Sequence, residues 1–181
     1  MANCIRIGFL KLGAYSSKFY INEIERISKK FDTPYKLTVQ NVDFEDWNQF
    51  LPYGFVELKP RLKKALLKLD NNDIDVIVIP NITLHFTLDK LNLDKKLINK
   101  IIHPINETLS FLKRRNIKLI TLLGTKYTMD STTMKSYFES ENIKFTEISS
   151  SQIANCDNVR TSVFKEGVSK ENKENFKSLI I

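Results

Sequence analysis

Short, β-branched apolar runs alternate along this chain with longer segments of helical pattern, and that alternation constrains the fold more than any other feature. Ile5–Leu10, Lys36–Phe44, Ile74–Ile79, Ile117–Leu123 and Ile143–Ile148 read as strands. Between them, Ser17–Phe31, Glu57–Asn71, Thr128–Asn142 and two segments around Leu88–Ile102 and Asn106–Arg115 read as helices. Leu62, Leu66, Leu67 and Leu69 are expected on one apolar face of the second helix. Pro60 is expected in its first turn, where a missing N–H costs nothing. Glu166–Ile181 is a further helix candidate, rich in Lys, Glu and Asn. Strands alternating with helices imply right-handed βαβ units and a parallel sheet, hence an α/β fold.

An internal repeat adds to this. At an offset of 112 residues, Ile5, Arg6, Ile7, Leu10, Tyr15 and Ser16 fall on Ile117, Lys118, Leu119, Leu122, Tyr127 and Thr128. Each set is a strand followed by a hydroxyl-bearing loop that opens a helix. The expectation is two Rossmann-like parallel-sheet halves related by pseudo-symmetry, residues 1–105 and 106–181. The second half is expected to be truncated, because from the start of the repeat near Asn116 only 66 of about 112 residues are present.

Composition narrows the function classes. The chain has 28 Lys+Arg against 21 Asp+Glu, a formal charge of +7. Lysines far outnumber arginines, and the basic runs Lys59–Lys68 and Lys113–Lys118 fall on helical pattern, where solvated lysine is the default. No aromatic-interleaved basic motif or zinc-finger spacing accompanies them, so nucleic-acid binding ranks last. Two cysteines, Cys4 and Cys156, are too few for a disulfide scaffold, and their spacing suggests no metal site. Met1–Ile7 shows no signal-peptide pattern. No segment approaches the ~20 apolar residues of a membrane span. A cytoplasmic protein without a membrane partner is the expectation.

In an open parallel sheet, ligands bind outside the carboxyl ends of the strands. Those ends carry Leu12–Ser17, Asp43–Trp47, Pro80–His85 and Gly124–Thr128. Three of the four loops offer hydroxyls and free N–H groups at a helix start, which suits a small carboxylate. Taken singly, Ser17 and Thr128 also read as plain helix N-caps.

These loops resemble those of the aspartate/glutamate racemase superfamily. Val76–His85, with Ile-Val-Ile-Pro-Asn-Ile-Thr-Leu-His, is similar to the strand and Cys-(Thr)-Asn-Thr-x-His loop of its first catalytic segment. Leu122–Met129 resembles its Leu-Leu-Gly-Thr-x-x-Thr-Met segment. Asn41–Phe44 resembles its Ser-Val-Asp-Phe, and Phe19–Asn22 its Tyr-Tyr…Ile-Asn on the first helix. The resemblance runs in order from about Ile5 to Phe164. It implies cofactor-independent amino-acid racemisation, an isomerase activity of amino acid metabolism. In that mechanism a thiolate on one face of the substrate removes the Cα proton and a thiol on the other face returns one. It also implies that Asn81, Thr83, Thr125, Thr128 and Ser17 hold the ligand carboxylates in one concave site, with a small carboxylate or amino acid as ligand.

The chain departs from that pattern at the bases. Pro80 stands at the first cysteine position, Ile82 at the next asparagine, and Lys11 and Leu12 at expected glycines. By the repeat, the counterpart of Pro80–His85 falls at positions 192–197, past Ile181. Cys4 precedes the first strand, and Cys156 is expected in a turn after the fifth; both read as incidental. His85 is the one candidate base, although a lone histidine after a buried strand is more often structural. His103 reads as a loop residue. Three functions are therefore weighed: a racemase-family enzyme; a non-catalytic carboxylate-binding relative (a pseudoenzyme) or truncated gene product; and a basic nucleic-acid-associated protein. Unpaired strand edges in a shortened sheet add the expectation of a homodimer.

Overall fold

In the computed structural model, which describes residues 4–178, strand β1 (Ile5–Lys11) lies between β2 (Tyr35–Asn41) and β3 (Val76–Val78) in a parallel sheet. The β1–β2 ladder runs from Ile5↔Tyr35 to Lys11↔Asn41, and β1–β3 from Ile7↔Val76 to Phe9↔Val78. A central parallel strand is covered on both faces, and Phe9 and Leu10 are fully buried. Gly8 permits this: a Cβ there would lie 3.1 Å from Ile74 Cγ2 and 3.4 Å from Leu69 Cδ2. At the amino end of the sheet, Arg6 Nε donates to Asp75 Oδ2 at 2.9 Å. The guanidinium holds the Asp75 carboxyl down at about 2.

Helix α1 (Ala14–Lys30) follows β1, and the short α2 (Phe44–Asn48) follows β2. Helix α3 (Phe55–Asp70) packs on β1 and β2. Its Leu58, Leu62, Leu66 and Leu69 are buried at i, i+4, i+8 and i+11, the helical spacing of a single apolar stripe. Leu67, expected on that stripe, is 44% exposed because it sits about 100° of helix away from Leu66. Pro60 is inside α3 rather than in its first turn. It withdraws a donor from the carbonyl of Val56, a residue that is exposed to water.

The helix expected over Leu88–Ile102 is shorter, confined to Lys95–Lys100. Helix α4 (Ile82–Leu88) starts inside the segment read as loop, and α5 (Lys95–Lys100) starts at Asp94, whose carboxylate accepts from Lys96 N at 2.7 Å. Residues Leu10, Leu12, Trp47, Leu58, Leu62, Leu66, Ile77, Ile79, Leu84 and Leu97 belong to one core. All lie in the first of two compact units, Met1–Pro104 and Ile105–Ile181.

The second unit contains β4 (Leu119–Ile120) and β5 (Lys144–Phe145), parallel, with Leu119↔Lys144 and Ile120↔Phe145. Both strands are far shorter than the runs Ile117–Leu123 and Ile143–Ile148. Its helices are α6 (Pro104–Arg114), α7 (Lys126–Asp130), α8 (Thr132–Glu139), α9 (Ser150–Glu166) and α10 (Lys170–Ser178). The single helix expected over Thr128–Asn142 is broken at Ser131, whose backbone is extended and whose hydroxyl caps α8 by accepting from Met134 N at 3.1 Å. Helix α9 overturns the expected turn around Cys156. Ser149 and Gln152 form a capping box there, a signal already present in the sequence. The helix expected over Glu166–Ile181 is α10 only, after α9 ends at Gly167 with φ 84°; positions 179–181 lie outside the described residues.

One local device recurs in both units. Asp32, Asp73, Asn116 and Asn142 have φ of 47°, 55°, 53° and 59°. Each closes the end of a helix (α1, α3, α6 and α8) just before the next strand. Asn and Asp enter the left-handed region at lower cost than other side chains, so each reverses the chain as a C-terminal glycine would. None of the described helices is long and apolar enough to cross a membrane.

Candidate functional site

The parallel ladders of the first unit bring the loops after β1, β2 and β3 to one end of one sheet. At the β1 loop, Gly13 occupies the N-cap of α1 and supplies no side-chain cap, and the first turn carries no acid. The amide groups and positive dipole end of a 17-residue helix are thus uncompensated there. Ser17, read as a possible N-cap, is instead inside α1; its N–H donates to Gly13 O at 3.1 Å. Its side chain is 1% exposed. Among the described residues its hydroxyl has no hydrogen-bond partner. A buried hydroxyl without a partner is uncommon and asks for a ligand or water.

At the β2 loop, Asp43 Oδ1 accepts from Asp46 N at 3.2 Å and caps α2. At the β3 loop, Asn81 is the N-cap of α4: its Oδ1 accepts from Leu84 N at 3.0 Å and from Thr83 Oγ1 at 2.8 Å. Asn81 and Thr83 are therefore tied to each other. The side-chain N–H groups of Asn81 and the lone pairs of Thr83 are what this loop still offers. Pro80 stands directly before this cap and carries no titratable group.

His85 is fully buried, one turn into α4. Its Nδ1 lies 2.9 Å from Asn81 O, so Nδ1–H donates to that carbonyl and fixes the loop's backbone. Burial, and then the neighbouring His103, push its pKa down to about 4, against the smaller upward pull of the Asn81 and Ile102 carbonyls. The ring is neutral at pH 7. Its partner in the core is His103, with ring centroids 4.7 Å apart and edge to face. The sequence, which places His103 in a loop, gives no hint of that pairing.

In the second unit, Thr125 caps α7: its Oγ1 accepts from Thr128 N at 3.0 Å and lies 2.9 Å from Thr128 Oγ1. Thr128 is buried. Gly124 is required by the close approach of Thr128, because a Cβ at 124 would meet Thr128 Cβ at 3.2 Å. Cys156, on α9, is buried with its Sγ 3.7 Å from the Gly124 carbonyl. It also lines a mostly apolar cavity of about 560 Å³ with Leu123, Val159, Val163 and Phe176. Cys4 is exposed. Among the described residues, no cluster of three or more His, Cys, Asp or Glu could hold a metal ion.

The mixed α/β architecture with parallel sheets is the fold of the aspartate/glutamate racemase homologues. A candidate Asp/Glu racemase from Yersinia pestis aligns with a TM-score of 0.78 at 19% identity, over 97% of this chain and 79% of its own. An aspartate racemase homologue from Pyrococcus horikoshii gives 0.70 at 19%, over 89% and 70%. The aspartate racemase of Picrophilus torridus gives 0.66 at 16%, over 98% and 75%. No protein-family model and no curated protein matches the sequence.

Proposed function

We propose that this chain is a member of the aspartate/glutamate racemase superfamily that binds a small carboxylate, an amino acid or a dicarboxylate, without racemising it. The observation that carries the reading is the start of α1. A long helix is left uncapped at the carboxyl end of the central strand, with the buried, unpartnered Ser17 hydroxyl in its first turn. Helix dipole, free amides and a neutral hydroxyl together suit a carboxylate. Asn81 and Thr83 stand at the neighbouring strand end, and Thr125 and Thr128 offer the same group types in the second unit. This is a racemase-like half in each unit, with the carboxylate-holding residues kept.

Proton transfer is where the residues depart from the enzymes. Racemisation needs a base that reaches Cα and an acid opposite it. Pro80 supplies neither. His85 is sealed in the core and committed to the Asn81 carbonyl, so its role is to hold the loop. A second, enzymatic reading has one observation in its favour: Cys156 is buried against Gly124, in the Leu122–Met129 segment that resembles the racemase loop.

Two measurements separate the readings. Titration with L-aspartate or L-glutamate should give saturable binding that Ser17→Ala weakens by roughly tenfold, the loss expected for one hydrogen bond to a charged group. The α-proton of L- or D-aspartate and glutamate should not exchange in D₂O in the presence of the protein. Exchange that disappears in Cys156→Ser would establish the enzymatic reading instead.

A further inference from the structure

His85 holds the Asn81 loop of the site proposed above through Nδ1, and its ring also meets the largely buried His103. His85 comes from α4, whereas His103 comes from the strand-like segment after α5 that continues into the second unit. Ile101 in that segment packs against the core of the first unit. Ile101 forms a single parallel bridge to Ile77, and Ile102 N donates to Ile77 O at 3.0 Å. The segment also meets α4 through His103, whose ring sits edge to face on His85 at 4.7 Å.

We propose that the His85–His103 pair is an acid-sensitive latch, which holds residues 101–103 against β3 and releases them when both rings are protonated.

The groups around the pair set its behaviour. Asp89, beside the end of α4, places Oδ1 3.3 Å from His103 Nε2. One positive charge, on His103, therefore has a counter-ion. Among the described residues, the Asn81 and Ile102 carbonyls and the more distant Asp89 charge also bear on His85. A second proton on His85 puts two like charges within one ring contact, in a place that His85 cannot leave for water. The desolvation cost and the repulsion are both removed if the segment carrying His103 moves away. His85 is anchored mid-helix, whereas His103 lies outside any helix or strand. The low pKa of His85, which follows from the same burial, means that the closed state is intact at neutral pH.

Amide hydrogen exchange of the full chain, corrected for the pH dependence of intrinsic exchange, tests this directly. The Ile102 amide should lose protection as pH falls from about 6.5 to about 4, by up to about tenfold per pH unit for a one-proton linkage. The amides of the β1–β2 ladder should keep theirs. His103→Gln and His85→Gln should each flatten the response, and His103→Gln, at the less buried position, serves if His85→Gln does not fold. Asp89→Asn should move the loss to higher pH, because the one counter-ion is gone. Unchanged Ile102 protection down to pH 4 overturns the latch. So does loss that occurs in step with the β1–β2 ladder, which would be global unfolding, or loss that persists in both glutamine variants.

Discussion

In the unit that ends at Pro104, three strands pair over as many as seven residues; in the unit that begins at Ile105, two strands pair over two residues each. Both units nonetheless enter their strands through the same turn, an Asp or Asn in the left-handed region after a helix. The difference teaches that the turn is a local device and strand length is not. β1 has a neighbour on each side and a packed helix, so Phe9 and Leu10 are fully buried. β4 has one neighbour, and its Leu119 is 61% exposed. A parallel strand is stabilised by burial on both faces and by pairing on both edges. Where those are absent, an equally β-branched sequence forms less strand.

Core truncation should give the largest effect. Leu66→Ala, at a fully buried position of the first unit, should cost about 2–5 kcal/mol in chemical denaturation. Met134→Ala should fall in the same range, because Met134 is also buried although its unit has little sheet. A Met134→Ala cost below about 1 kcal/mol would mean that the second unit is not held by its core at all.

Acid should separate the units next. Both histidines of the chain, His85 and His103, lie in the first unit. His85 titrates near 4 when folded and near 6.5 when unfolded, so the unfolded chain takes up the proton first as pH falls. The stability held by neutral His85 is complete above about pH 6.5 and is lost towards pH 4. At one pKa unit per 1.36 kcal/mol, the loss is of order 3 kcal/mol. Release of residues 101–103 confines that loss, so hydrogen exchange over this window should show the fall around Ile102 and α4, not in the β1–β2 ladder, and none of it in the second unit. A parallel fall in both would mean that the two unfold as one body.

Capping should give a smaller and subtler difference. Asn81→Ala and Thr125→Ala each remove a side-chain cap, worth about 0.5–2 kcal/mol. Asn81 also accepts from Thr83, so its loss should be the greater, and the double variant with Thr83→Val should be less than additive. Smallest of all is Leu119→Ser. At an exposed position it should stay within about 0.5 kcal/mol of the parent protein by denaturation midpoint. A cost above about 1 kcal/mol would show that another surface covers β4 in solution, the homodimer contact expected of an uncovered strand.

The strand-end loops were legible because they are local: a strand end, a capping residue and a helix start within ten residues. The caps themselves are Asn81 and Thr125, with Thr83 and Thr128 hydrogen-bonded to them, so Thr128 is inside α7 rather than its N-cap. Two helix starts are written in the sequence but hidden from its periodicity. Ser131 and the Ser149–Gln152 box are explicit N-terminal signals, but the apolar spacing on either side of Ser131 runs on in register and masks the break. The box starts α9 and so puts Cys156 on a buried helix face rather than in the expected turn.

The sequence by itself determined the order of elements, the parallel α/β class and the group types offered at the strand ends. Periodicity, capping and turn residues act over a few positions, and each is written out in the chain. Only the tertiary structure decided how long each strand is, that Ser17 is buried without a partner, and that His85 meets His103. Those depend on which surfaces 18 or more residues apart are brought together, and hence removed from water. No spacing within one element can encode that.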